Sequence, residues 1–139
     1  GGSTHSKLFQ EVREKRSLAY YVNSSIESTK GLMFVNSGIN AENSDKVIGL
    51  VNSQIQSIVD GDFSEDEFIR SKKSIINSLK QDFDSSNALA AHFLLTLIND
   101  QPESISATIE GIEEVKREDV MAAAAKLKAD TAYLLKSED

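Results

Sequence analysis

The sequence predicts an α+β fold: an antiparallel β-hairpin and a closing C-terminal strand, covered by several helices. Two observations carry this reading. The period changes to two from Leu18 to Ile26, the chain turns at Gly31 and returns, and residues 131–136 read as a closing strand. Between the hairpin and that last stretch, apolar residues recur at helical spacing in four or five segments. Three strands are few for so many amphipathic helices.

Taken in order, the stretch Ser6–Ser28 reads as a short helix that stops at a basic cluster and enters a long strand. Leu8, Phe9 and Val12 give one apolar helical stripe, and Arg13, Lys15 and Arg16 lie at its C-terminal end, where cations favour the macrodipole. From there Leu18, Tyr20, Val22 and Ile26 alternate with Ala19, Tyr21, Asn23 and Glu27. Arg13 thus occupies the last helical turn and Tyr20 the beginning of the strand, seven residues on. The chain is expected to turn at Thr29-Lys30-Gly31 and return over residues 32–38. If Lys30-Gly31 forms a two-residue loop, Val22 faces Ile39 and Ile26 faces Val35, with Met33 on the same side. That register puts Tyr20 on the apolar face too, which leaves open the alternative of a partly buried structural tyrosine.

Asn40 is placed to cap a helix carrying Val47, Val51, Ile55, Ile58 and Val59, and Gly61 to end it. Ser64-Glu65-Asp66-Glu67 is a capping box with Phe63 and Phe68 at staple positions, and Ile75, Ile76, Leu79 and Phe83 continue that helix's stripe. Ser85 or Ser86 opens the next helix, which is apolar nearly all round from Ala88 to Ile98, the pattern of a central, buried helix. Asp100-Gln101-Pro102 breaks the pattern. Ile105, Ile109 and Ile112 mark a short helix, Glu118 and Asp119 open a final Ala-rich one, and Thr131–Lys136 reads as the closing strand.

A length of 139 residues fits one domain or part of one, and 40% hydrophobic residues can support a core. A formal charge of −7 argues against nucleic acid as a partner. The charge is uneven: residues 1–16 are net basic, whereas 41–70 and 103–119 carry acids that read as solvated helix faces. No apolar run is long enough to span a membrane. The absence of cysteine excludes disulfides and thiolate sites and is consistent with a reducing, cytoplasmic compartment.

Ser6-Lys7-Leu8-Phe9-Gln10-Glu11-Val12-Arg13-Glu14-Lys15-Arg16-Ser17-Leu18-Ala19-Tyr20 resembles the signature of the C-terminal half of the pitrilysin/insulinase (M16) zinc peptidases, above all the processing-peptidase subgroup. The family pattern is small residues, Leu-Phe, a short spacer, Arg-Glu-Lys and then Leu-Ala-Tyr, with Arg and Tyr seven apart as here. Ser17 departs from it, standing where the family usually has Gly, and His5 lies among positions that are usually small. Similarity is strong over residues 1–40 and rests on helix order beyond them. It implies roughly the last two-thirds of the C-terminal domain of such a peptidase, part of an α/β sandwich. The family carries a Gly-rich turn before its Ser-x-Leu-Phe helix, where Gly1 and Gly2 stand, and supplies further strands from preceding sequence. The chain is therefore expected to be truncated at its N-terminus, and a sheet edge left unpaired there invites self-association.

The resemblance also assigns roles. A family zinc site needs two histidines four apart on a helix, an interposed acid and a distant Glu. His5 and His92 have no such spacing, so no metal is expected in this chain; zinc is expected in the N-terminal half or in a partner subunit. Taken alone, Arg13 and Tyr20 have an ordinary reading, since tyrosines are enriched in strands and basic residues at helix ends. In active family members the matching Arg and Tyr project into a chamber and hold the peptide around its scissile bond. A guanidinium offers forked donors and a phenol one neutral donor, so the pair suits substrate binding and oxyanion stabilisation but not nucleophilic attack. The partners implied are a peptide or protein substrate and the zinc-bearing half. Two other functions stay open: an inactive family member that presents substrate to an active chain, and an unrelated α+β binding module.

Overall fold

The computed structural model describes residues 4–82, 85–98, 100 and 103–136. Its first element is a π-helical turn, Phe9–Glu14, entered from Leu8. Two strands follow, β1 (Ala19–Glu27) and β2 (Leu32–Ile39), paired antiparallel. A 3-10 turn at Ala41–Asn43 leads into α1 (Ser44–Val59). Four helices complete the described chain: α2 (Glu65–Asp82), α3 (Ser86–Ile98), α4 (Ile105–Glu114) and α5 (Arg117–Ala124). The α+β class is as expected.

The core gathers where the π-helical turn, β1 and α1 meet. Leu8, Val12, Ala19, Val22 and Val47 are buried together, with Phe9, Leu18, Val35, Ile39, Leu50 and Val51 packed around them. Val12 is fully enclosed, at 0% exposure. Burial of one such side chain contributes about 1.5–3 kcal/mol. Helix α1 lies against this turn and against α5, and α2 packs on α4.

The hairpin register differs from the expected one by two residues. Val22 pairs with Ser37, Ser24 with Val35 and Ile26 with Met33. The reason is the loop. Lys30 and Gly31 donate to the carbonyls of Glu27 and Ser28, at 3.2 and 3.3 Å, and Gly31 sits at φ +63, so four residues are used rather than two. A shift of two preserves sidedness but moves Ile26 to the far end of the hairpin, where it is 77% exposed.

Helix starts follow their local chemistry. The Ser64 N–H donates to Glu67 Oε2 at 2.7 Å, and the Glu67 N–H donates to Ser64 Oγ at 3.1 Å. Phe63 and Phe68 stack above this reciprocal cap with centroids 6.3 Å apart. Its backbone bond from Ser64 holds the Glu67 carboxyl below the ordinary range, opposed by burial. Arg117 donates to the Gly61 and Phe63 carbonyls, at 3.2 and 2.7 Å, while its guanidinium covers the Phe63 ring at 4.1 Å. Lys72 donates to the carbonyls of Glu113 and Val115 at the end of α4, at 2.6 and 2.9 Å. Gly61 ends the α1 turn at φ +73, as expected.

Three expectations are corrected. Asn40 does not cap α1 through its side chain; the 3-10 turn intervenes, and only the Asn40 carbonyl takes part, accepting from the Asn43 N–H at 2.9 Å. Helix α3 has no buried residue among those described, and Phe93, Leu94, Leu95, Leu97 and Ile98 are exposed; its main neighbour among the described elements is α2. Residues 131–136, expected as a closing strand, pair with no strand among the described residues; the sheet described has two strands, and Tyr133 and Leu135 lie exposed. Phe83, Gln101 and Pro102 fall outside the described residues.

Candidate functional site

The site begins with the unusual turn of the first helix. The Gln10 N–H donates to Ser6 O at 3.0 Å with α-helical spacing, and the Lys15 N–H then reaches five residues back to Gln10 O at 2.9 Å. That wider pitch is the π-helical form, which recurs at functional sites. Val12 is driven into the core, so its neighbour Arg13 faces outward, its guanidinium 4.8 Å from the centroid of the Phe9 ring. The turn closes with nested bonds from the Ser17 N–H to Arg13 O and the Leu18 N–H to Val12 O, at 2.9 and 3.0 Å. Between them Ser17 takes φ +50, a left-handed conformation in which glycine carries no side-chain cost.

Tyr20 is aimed by a β-bulge. Ala19 pairs with Ile39 and Tyr21 with Gly38, so Tyr20 is an extra residue on β1. Strict alternation would put Ala19 and Val22, three apart, on opposite faces, yet both are buried. The bulge reconciles them and turns Tyr20 outward to 74% exposure. This corrects the expectation of a partly buried tyrosine on the apolar face. The Tyr20 hydroxyl instead approaches Asn40 Oδ1 at 3.5 Å.

Arg13 and Tyr20 line one cleft of about 480 Å³, together with Glu14, Asn40 and Asn43. Of the basic cluster, Lys15 and Arg16 are both engaged by Glu11, Arg16 at 2.6 Å. The Lys15 hydrogen bond, then that of Arg16, holds the Glu11 carboxyl below its ordinary range. Among the described residues Arg13 forms no ion pair, and it lines the cleft with its guanidinium beside Phe9. Sequence reasoning brought Arg13 and Tyr20 forward but missed Glu14, Asn40 and Asn43. Asn40 looked like a helix cap, and the only clue to the bulge was the i, i+3 spacing of Ala19 and Val22.

The two histidines take other places. His5 is exposed near the first turn, and His92 on α3 sets Nε2 3.2 Å from the Glu103 carbonyl and its ring edge-on to Phe93. Among the described residues no group of three or more His, Asp or Glu side chains could hold a metal. These residues do not fit a zinc centre.

Comparison with known proteins agrees with this layout. The model of the family described as peptidase M16 inactive domain matches residues 1–75, the stretch that holds the core cluster and the cleft. A Bacillus subtilis protein named probable inactive metalloprotease YmfF is 41% identical over the whole chain, which spans 33% of that relative's length. A conserved protein of Enterococcus faecalis has a similar structure, with a TM-score of 0.80 and 32% identity over 90% of this chain and 30% of its own. A peptidase M16 inactive domain from Pseudomonas fluorescens aligns with a TM-score of 0.73 and 25% identity, over 93% of this chain and 31% of its own. The chain thus spans about a third of the length of each of these three relatives. With the signature helix, the hairpin and this match over more than half its length, the chain belongs to the peptidase M16 family, in the part described as the inactive domain.

Proposed function

We propose that this chain is the non-zinc-binding, C-terminal portion of an M16 protease-like protein, in which Arg13 and Tyr20 hold a peptide substrate. The observation that carries this reading is that both side chains are exposed along one cleft. The chemistry suits a peptide backbone. Arg13 offers forked donors, Tyr20 a neutral donor, Glu14 a carboxylate acceptor, and Asn40 and Asn43 both donors and acceptors. Carbonyls and N–H groups alternate along an extended peptide and need such a mixed wall. Zinc would belong to the N-terminal half or a partner subunit, as the family resemblance implies, and the donors of this chain would steady the peptide and the oxyanion that develops on it.

The relation to YmfF favours a second reading, an inactive family member that binds and presents peptides without cleaving them. Both readings assign peptide to the same cleft and differ in turnover. The test is Tyr20→Phe and Arg13→Lys in the full-length protein, alone and with any zinc-bearing partner, assayed with a fluorogenic peptide and by fluorescence anisotropy. Under the first reading Tyr20→Phe lowers kcat roughly 100- to 1,000-fold, the loss expected for one oxyanion donor. Arg13→Lys also raises KM, because an ammonium cannot reproduce the fork. Under the second, the wild type shows no turnover and Tyr20→Phe weakens peptide binding by about 0.5–1.5 kcal/mol. Wild-type behaviour of both variants in both assays would remove the peptide role.

A further inference from the structure

The bulge on β1 contains two adjacent tyrosines, and either could in principle be the extra residue. One of them reaches the cleft only if the other is fixed. The fixing partner is Gly38. A Cβ built there would lie 2.5 Å from Cε1 and 2.9 Å from Cδ1 of Tyr21, so the Tyr21 ring occupies the space of a side chain at position 38. A strand glycine of this kind marks a close approach, and an aromatic ring laid over it compensates for the missing side chain. Tyr21 is itself exposed and belongs to no core cluster, so its seat on Gly38 sets register rather than filling the interior. Two residues further on, past the end of β2, Asn40 Oδ1 stands 3.5 Å from the Tyr20 hydroxyl.

We propose that Gly38 and Asn40 are positioning residues for Tyr20: Gly38 seats the Tyr21 ring and so fixes Tyr20 as the bulged residue, and Asn40 accepts from the Tyr20 hydroxyl and orients it in the cleft. The functional part of this rests on the peptide-holding role of Tyr20; the geometric part does not. Gly38→Ala forces the Tyr21 ring off its seat and lets the bulge migrate. Asn40→Ala removes the acceptor, whereas Asn40→Asp keeps one.

Tyr20, Tyr21 and Tyr133 are the tyrosines of this chain, and in the full-length protein labelled at tyrosine 13Cζ their signals are assigned with Tyr→Phe variants at these positions. Gly38→Ala should move the Tyr20 and Tyr21 signals and leave that of Tyr133 in place. Asn40→Ala should move Tyr20 alone, and Asn40→Asp should restore it toward the wild-type position. Binding of a fluorescein-labelled extended peptide of Ala and Ser to the full-length protein should weaken roughly 2- to 10-fold in Gly38→Ala and Asn40→Ala, as in Tyr20→Phe. Adding Tyr20→Phe to Gly38→Ala should weaken it no further. A Tyr20 signal unmoved by Asn40→Ala overturns the proposal even if Gly38→Ala fails to fold. Strictly additive losses in binding also overturn it. Wild-type binding by Tyr20→Phe, with the signals moving as expected, sinks the peptide role and leaves the geometry standing.

Discussion

Helices α1 and α3 make an instructive pair. Helix α1 is amphipathic and buries Val47 to 5% exposure in the cluster formed with Leu8, Val12, Ala19 and Val22. Helix α3 is more apolar, yet it buries none of its described side chains, and Leu97 is 60% exposed. Apolar content measures the tendency to leave water, and a stripe says which way a helix must face to do so. Residues of α1 spaced at 3.6 select the π-helical turn and the hairpin as neighbours. Leu94, Leu95, Leu97 and Ile98 define no single stripe, and all four are exposed among the described residues.

The largest effect that would test this contrast comes from truncating the two regions in parallel. Leu8→Ala should cost about 2–5 kcal/mol by chemical denaturation, because it opens a cavity beside Val12. Leu97→Ala should stay within about 0.5 kcal/mol. Equal losses would show α3 packed in solution and dissolve the contrast.

A smaller effect belongs to the start of α2, which joins the two regions. Ser64→Ala should cost about 1 kcal/mol, by removing the cap on the Glu67 N–H. The Glu67 and Glu11 carboxyls are both held below their ordinary range. Groups depressed in the folded state add stability that is present above the unfolded value and lost as pH falls through the folded one. Melting temperature should therefore drop as pH falls below about 4.3, and Glu67→Gln should flatten that slope, whereas Ser64→Ala should leave most of it, since the Glu67 shift is owed first to the Ser64 backbone N–H, which alanine keeps. A slope unchanged in Glu67→Gln would detach Glu67 from it.

The smallest expected change is a gain. Ser17→Gly should stabilise the chain by roughly 0.5–1 kcal/mol, the relief of a left-handed residue less the added freedom of the unfolded glycine. A loss on thermal unfolding would mean that the Ser17 side chain helps to hold the turn.

Legibility in the sequence followed the range of the forces. The Ser64–Glu67 cap, the Phe63–Phe68 staple and the Gly61 stop depend on residues within one or two turns, and all stand where the sequence put them. The hairpin was readable, but its register depended on whether the loop used two residues or four. The burial of α3 could not be read, because hydropathy names no partner. At the site, Arg13 and Tyr20 came from the family signature and Val12 from its stripe. The exposure of Tyr20 was hidden, since alternation was assumed to run unbroken through a bulge that only Ala19 and Val22 betray.

That bulge works as a frameshift in sidedness. With one tyrosine deleted between Ala19 and Val22, strict alternation would return, and both core residues would still face inward opposite the same partners. The remaining tyrosine would take the outward position against Gly38. A hairpin regularised in this way, as a designer seeking an ideal backbone would choose, keeps its interior and loses the phenol at the cleft. The sheet has no use for Tyr20. Shape and chemistry in this chain can therefore be uncoupled at one codon, and a more regular relative is not thereby a more capable one.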